Sequence, residues 1–346
     1  MQKKIIALAI AAAFAAPVAA MADVTVYGVV DGNFRSATSA GQTQNTMNSY
    51  NGLNSNRWGV KSSEDLGDGM KANVVLEGDL FTATGENSSK GTGTGTLFSR
   101  QSTVGLEGGF GKVDLGRQYT VAFKLNTLID PFAHQFIGTT SANVASGYTL
   151  STGNPITRNN SDISYTGKFG DVTVMADKSM GGATDDSAAT AAAGVSYVGG
   201  PITVVATYTK VKAAASPVPV TRDMTHMQAG AGFSFGDGSV KVGYAQQKNA
   251  DSNAAGGTAV GSDVTTTNIW LGGDFNVSSK IGVKAAYYKT TFAATGANDV
   301  VTTNVVAAAT YALSKKTALY VEADKQTNDA TNVDSNGYTL GMNVAF

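Results

Sequence analysis

From Asp23 onward the chain falls into segments of about ten residues that alternate apolar and polar side chains, and a period of two dictates β-strands. In Asp23–Arg35, Val24, Val26, Val30 and Phe34 share one face, while Thr25, Tyr27, Asp31, Asn33 and Arg35 share the other. Asn56–Leu66 and Met70–Phe81 flank the tight turn Gly67-Asp68-Gly69, and Leu97–Glu107 and Lys112–Tyr119 flank Gly108–Gly111. Arg158–Thr166 and Asp171–Met180 make the next hairpin around Gly167–Gly170. Ala191–Val198 with Ile202–Val211, Met224–Phe235 with Ser239–Lys248, Asp263–Phe275 with Lys280–Phe292, and Val300–Ala312 with Thr317–Gln326 repeat the unit. Asn336–Phe346 is the last strand.

This pattern predicts sixteen strands, with seven short turns on one side and eight longer, polar connections on the other. Both termini fall at the turn side, where a first and a last strand can pair. Strands of about 9–12 residues exceed the usual globular length and match a tilted bilayer crossing. The polar faces carry charges in mid-strand (Lys61, Glu77, Lys284, Glu322), which suits a wet interior. Aromatics gather toward strand ends, among them Phe81, Phe110, Tyr119, Phe169, Phe275 and Tyr311, as in an interfacial girdle. The expected fold is an all-β, sixteen-stranded antiparallel transmembrane barrel. Closure leaves no edge strand and satisfies the backbone groups that lipid cannot.

Composition agrees. Gly is abundant at 41 residues, Pro scarce at 6, and no cysteine is present, so no disulfide enters the argument. Met1–Ala22 has a lysine-bearing start, an apolar stretch Ile5–Ala16 and the small-x-small site Ala20-Met21-Ala22. It is expected to be a cleaved export signal, leaving a single barrel domain over 23–346. With Lys3 and Lys4 set aside, the 25 basic residues fall to 23 against 26 acidic ones, which argues against nucleic-acid affinity.

One interval breaks the alternation: Thr120–Thr157, the third of the long connections. Unstructured stretches of this length inside compact β proteins are usually functional or disordered. Its only charged residues are Lys124 and Asp130, and it carries Phe123, Phe132, Phe136 and Tyr148. These aromatics can pin the interval to the barrel wall or guide a solute along it.

The mature start DVTVYGVVDG, the hairpins NRWGVKSSEDLGDGMKANVVLEG and FSRQSTVGLEGGFGKVDLGRQY, and the terminal GMNVAF resemble the general porins of Gram-negative bacteria, of the β-proteobacterial and neisserial type. The resemblance covers essentially the whole mature chain. It implies a homotrimer in the outer membrane, each barrel passing small hydrophilic solutes and ions, with the third extracellular loop folded inward. It also implies that Phe346 is read by the outer-membrane assembly machinery. In the family, wall arginines face carboxylates on that loop. Arg57, Arg117 and Arg158 match wall positions, and Asp130 in IDPF matches an acidic loop position.

Alternation places Arg57 in phase with Gly59 and Lys61, and Arg158 with Asp162 and Ser164. Arg117 is in phase with Val113 and Leu115, so it needs a bulge, for instance at Gly116, to reach the interior. Arg100 lies on the apolar parity of Val104 and Leu106, which suggests a rim or a subunit contact. One carboxylate against these arginines and Lys61 predicts a weakly anion-selective constriction, unless Glu77, Asp79, Glu322 and Asp324 reverse the sign.

No cofactor or metal pattern stands out. Gly91–Gly95 lacks the following helix and the GK[ST] of a phosphate loop, and Asp185-Asp186 lacks calcium-ligand spacing. His134 and His226 are the two histidines, too few for an assembled catalytic site to be read from the sequence. The competing functions are a substrate-specific channel and a non-conducting barrel that works as an adhesin or structural protein.

Overall fold

A computed structural model describes residues 23–48, 52–87, 96–136, 157–180, 189–211, 224–249, 264–331 and 333–346. Met1–Ala22 (the expected export signal), Gly91–Gly95, Tyr148 and Asp185-Asp186 lie outside the described residues. The strands are β1 (Asp23–Ser39), β2 (Gln42–Asn48), β3 (Arg57–Gly67), β4 (Met70–Asp79), β5 (Gln101–Gly108) and β6 (Gly111–Tyr119). Helix α1 (Val121–Ile129) follows, then β7 (Arg158–Phe169), β8 (Val172–Ser179), β9 (Thr190–Gly199), β10 (Ile202–Val211) and β11 (Met224–Phe235). The chain ends with β12 (Gly238–Asn249), β13 (Val264–Asn276), β14 (Ile281–Ala294), β15 (Val300–Ala312), β16 (Thr317–Asn328) and β17 (Val333–Ala345).

From β3 to β17 each strand pairs antiparallel with its chain neighbours, and the ring closes where Val29–Ser39 of β1 runs against Ala345–Ser335 of β17. The first half of β1 pairs with β3 and its second half with β2, so β2 and β3 share one position in the ring. The result is a closed sixteen-stranded antiparallel barrel. The sequence ends the first strand at Arg35; the structure carries it to Ser39 and doubles back through Ala40 (φ 50°) and Gly41 (φ 75°). That run of Ser, Thr, Gln and Asn carries no apolar alternation, so pattern alone stops short of it.

The two faces differ as the alternation requires. Val104, Leu106, Leu115, Ile163, Val204, Leu271 and Leu340 are exposed on the outer face. Asp31, Glu77, Ser164, Thr207, Gln228, Asn268 and Glu322 are buried on the inner face. A wall of this kind turns apolar side chains to lipid and completes its hydrogen bonds within the ring. Phe346 adds the last link: its N–H donates to Gly28 O at 3.0 Å, and Gly28 N–H donates to Phe346 O at 3.2 Å. Its ring occupies the space a side chain at position 28 would fill.

The apolar core is not a barrel-filling layer. It gathers Val121, Leu125, Ile129, Phe132 and Phe136 against Val205, Ala245, Trp270, Ala286, Val306 and Tyr320 of the inner wall. The long connection therefore supplies five of the fourteen buried residues of this cluster, and the wall supplies the rest.

Candidate functional site

The interval after β6 begins as a helix, which period-two reading misses. Thr120 caps it by accepting from Phe123 N–H at 3.2 Å, and Asp177 Oδ2 of β8 accepts from Val121 N–H at 2.8 Å. Val121, Leu125 and Ile129 recur every four residues and are buried as one stripe. The stripe seats on glycines: a Cβ at Gly194 would lie 2.6 Å from Leu125 Cδ1 and 2.9 Å from Val121 Cγ1, and one at Gly230 would lie 2.6 Å from Ile129 Cδ1. Wall side chains also satisfy helix carbonyls, Gln228 Nε2 donating to Ala122 O at 2.8 Å and Trp270 Nε1 to Ile129 O at 2.9 Å.

Past the helix, Phe132 and Phe136 are fully buried, and Phe136 meets Tyr320 edge-on at 5.5 Å. Fully burying each such side chain contributes roughly 1.5–3 kcal/mol. Phe136 N–H donates to Gly52 O at 2.8 Å, so the segment also meets the piece between β2 and β3. That piece is fixed by Asp31, which accepts from Tyr320 Oη at 2.6 Å and from Leu53 N–H at 3.0 Å. Residues 121–136 thus run along the inner wall from β8 to β16. The buried phenylalanines act as anchors rather than as an open track.

Asp130 makes no ion pair with Arg57, Arg117 or Arg158 among the described residues. It is buried at the end of α1, accepting from Tyr288 Oη at 2.7 Å, His134 N–H at 2.7 Å and Phe132 N–H at 3.3 Å. Three donors in a dry site hold the carboxylate against β14. Lys241 Nζ donates to its carbonyl at 3.3 Å.

The arginines gather on the other side of the ring, at the ends of β3, β6 and β7 away from the short turns. Arg117 follows Gly116, whose φ is 128°, and the β6–β7 register breaks between Gly116 and Gln118. The expected irregularity is therefore present, and Arg117 Nε donates to Ser99 O at 2.6 Å while its Nη1 reaches Asn160 Oδ1. Arg158 Nη2 donates to Tyr119 Oη at 2.9 Å, and its guanidinium lies 4.4 Å from the Tyr119 ring centre. Alternation does not carry Arg158 to Asp162, because Ser161 between them sits at φ 48°. Arg57 opens β3 on the same face as Gly59, and Lys61 Nζ lies 5.6 Å from the Tyr27 ring centre.

Arg100 is the residue that parity misplaces. It precedes β5, so its side chain is not bound by the strand's phase, and it turns inward. It is 3% exposed, with Nε 2.7 Å from Glu77 Oε1 and Nη1 3.0 Å from Asp79 Oδ1. Its Nη2 donates to Tyr119 Oη. Arg100 thus pairs with both Glu77 and Asp79, one guanidinium against two carboxylates, and Arg35 pairs with Asp324 at 2.7 Å. Of these three carboxylates one negative charge is left over, against Arg57, Lys61, Arg117 and Arg158.

Residues 7–331 match the family model described as Gram-negative porin. The chain belongs to the Gram-negative porins. An outer membrane porin protein of Bordetella pertussis is 30% identical, with 99% of each chain covered. Outer membrane porin protein 32 of Delftia acidovorans is 30% identical over 92% of this chain and 88% of its own. The solved anion-selective porin from Comamonas acidovorans superposes with a TM-score of 0.78 at 26% identity, covering 94% of this chain and all of that one. This porin resides in the outer membrane of a Gram-negative cell. Its water-filled barrel passes small hydrophilic solutes and ions by passive diffusion.

Two further features of the porin interior bear on charge. Lys124 Nζ lies 3.4 Å from Gln118 Oε1, and burial holds its ammonium below the usual lysine range, with Asp114, Asp177 and Asp162 pulling the other way. His134 is stacked on Phe123 at 4.4 Å, and among the described residues no cluster of His, Asp or Glu fits a metal ion.

Proposed function

We propose that the segment 121–136 is an inward-folded third extracellular loop that narrows the channel, and that the narrow zone favours anions. One arrangement carries this reading. Arg117 and Arg158 stand together with no carboxylate in ion-pair distance among the described residues, while Asp130 is turned into the far wall. Arg57 and Lys61 add two more positive charges on the arginine side.

The mechanism needs no tight binding. Fixed charges set a local potential, and solutes partition through the narrow zone by size and charge. Arginine serves because it stays protonated, and its planar donors hold a fixed direction along a wall. Glu77 and Asp79 share Arg100 and Asp324 takes Arg35, so these groups leave one negative charge over against Arg57, Lys61, Arg117 and Arg158, which supports a positive balance. The anion selectivity stated for the Comamonas acidovorans porin agrees in direction.

The same reading takes Met1–Ala22 as a removed export signal, the mature protein as a homotrimer, and Phe346 as the residue recognised during assembly. Phe346 is half-exposed at the seam between β1 and β17, where a recognition signal stays accessible until closure. The deciding measurement is the zero-current potential of purified protein in a planar bilayer under a KCl gradient. Anion preference is expected, and a clear cation preference sinks the charge assignment. Conductance steps in groups of three report the trimer.

A further inference from the structure

We propose that Tyr119 is the positioning residue of the constriction: its hydroxyl sets the direction of the Arg158 guanidinium, and its ring ties that charge to the loop. The proposal deepens the anion-favouring reading and rests on it.

A phenolic oxygen offers two acceptor sites, and both are taken by guanidinium N–H groups. One comes from Arg100, the other from Arg158 at 2.9 Å. The two donors are not equivalent. Arg100 is buried and clamped by Glu77 and Asp79, so it fixes the oxygen in place. Arg158 has no such clamp; its other hydrogen bond, to Thr157 Oγ1, is 3.4 Å long. The hydroxyl therefore transmits the rigidity of a carboxylate-clamped arginine to one without an ion pair among the described residues.

The ring does separate work. It stacks on Phe123 with centroids 4.9 Å apart and planes 7° apart, and Phe123 stacks on His134 at 4.4 Å and 12°. The His134 N–H donates to Asp130, which holds Tyr288 of the far wall. A continuous column thus links the arginine side of the barrel to the end of α1. Ordinary aromatic filling would need the rings but not the hydroxyl, so the two roles can be separated by chemistry.

The test uses full-length porin in planar bilayers, with Tyr119→Phe and Phe123→Leu compared with wild type. In Tyr119→Phe the anion-to-cation permeability ratio should fall by about half, with unit conductance and closure frequency kept. Phe123→Leu should keep the ratio and close more often. Should Tyr119→Phe fail to assemble, Arg158→Lys gives an independent check: the charge stays, the planar donor is lost, and the same fall is expected. An unchanged ratio in Tyr119→Phe or Arg158→Lys, or altered closure without altered ratio in Tyr119→Phe, overturns the proposal. A wild-type pore with no anion preference overturns it together with the reading beneath it, so the wild-type trace alone tells the two failures apart.

Discussion

Tyr288 of β14 donates its phenolic proton to Asp130 at 2.7 Å, at the point where α1 ends and the chain turns along the inner wall. The bond fixes the one carboxylate that the described part of the long connection carries. It also engages that carboxylate with the β14 side of the wall rather than with an arginine. A buried ion is stable only while its donors are present, and two of the three here are backbone N–H groups of the same segment. Tyr288 is the only side-chain hydroxyl that reaches it from the wall among the described residues.

Tyr288→Phe removes that wall donor without changing the ring. Losing a hydrogen bond to a charged group costs about 1.5–3 kcal/mol, borne by the loop and not by the barrel ladder. Single-channel recordings should show more frequent closures, while the heat resistance of the assembled barrel stays near wild type. Traces indistinguishable from wild type would show that Asp130 does not hold the segment.

Gly194→Leu addresses the other end of the segment. A side chain there meets Leu125, Val121 and Thr207, and forced overpacking costs roughly 1–3 kcal/mol. The helix should lift from β9, and unit conductance should change while the strands remain folded. Equal conductance and equal closure in this variant would mean that α1 does not set the width of the pore.

The ring of strands was readable because lipid and water impose opposite demands on alternate residues: Val104 and Leu106 could face nothing but lipid, and Glu77 nothing but the interior. Helix α1 was readable in principle. Val121, Leu125 and Ile129 are spaced four apart behind a threonine cap, but that short signal sits within a long interval of otherwise irregular sequence. Arg100 was not readable. Its direction depends on lying one residue before β5 and on the pairing that brings Glu77 beside it, and neither is encoded in local parity. Arg117 was half readable, since the need for a break at Gly116 follows from its phase.

Arg100 and Arg117 make a matched pair of variants. Arg100→Gln leaves Glu77 and Asp79 buried without their counter-ion, and breaking a buried pair costs about 3–5 kcal/mol. It should lower the thermal stability of the porin and shift the zero-current potential toward cations. Arg117→Gln should shift the potential the same way with a smaller loss of stability, because no carboxylate is orphaned. Equal stability losses in the two variants would refute the distinction between a clamped arginine and a free one.

Leu340→Arg tests which face of the last strand meets lipid. Leu340 is 60% exposed on the outer face, flanked across the ladder by Phe34 of β1 and Val321 of β16, both also exposed. Neither neighbour offers a carboxylate, so the guanidinium would be desolvated without a partner. Near the bilayer midplane that costs about 2–4 kcal/mol. Leu340→Phe, apolar and of larger volume, is the control expected to assemble normally. Heat-modifiable mobility on gels should show less folded protein for Leu340→Arg than for Leu340→Phe. Equal yields of heat-resistant protein from the two variants would remove Leu340 from the lipid-facing surface, and with it the assignment of outer and inner faces along β17.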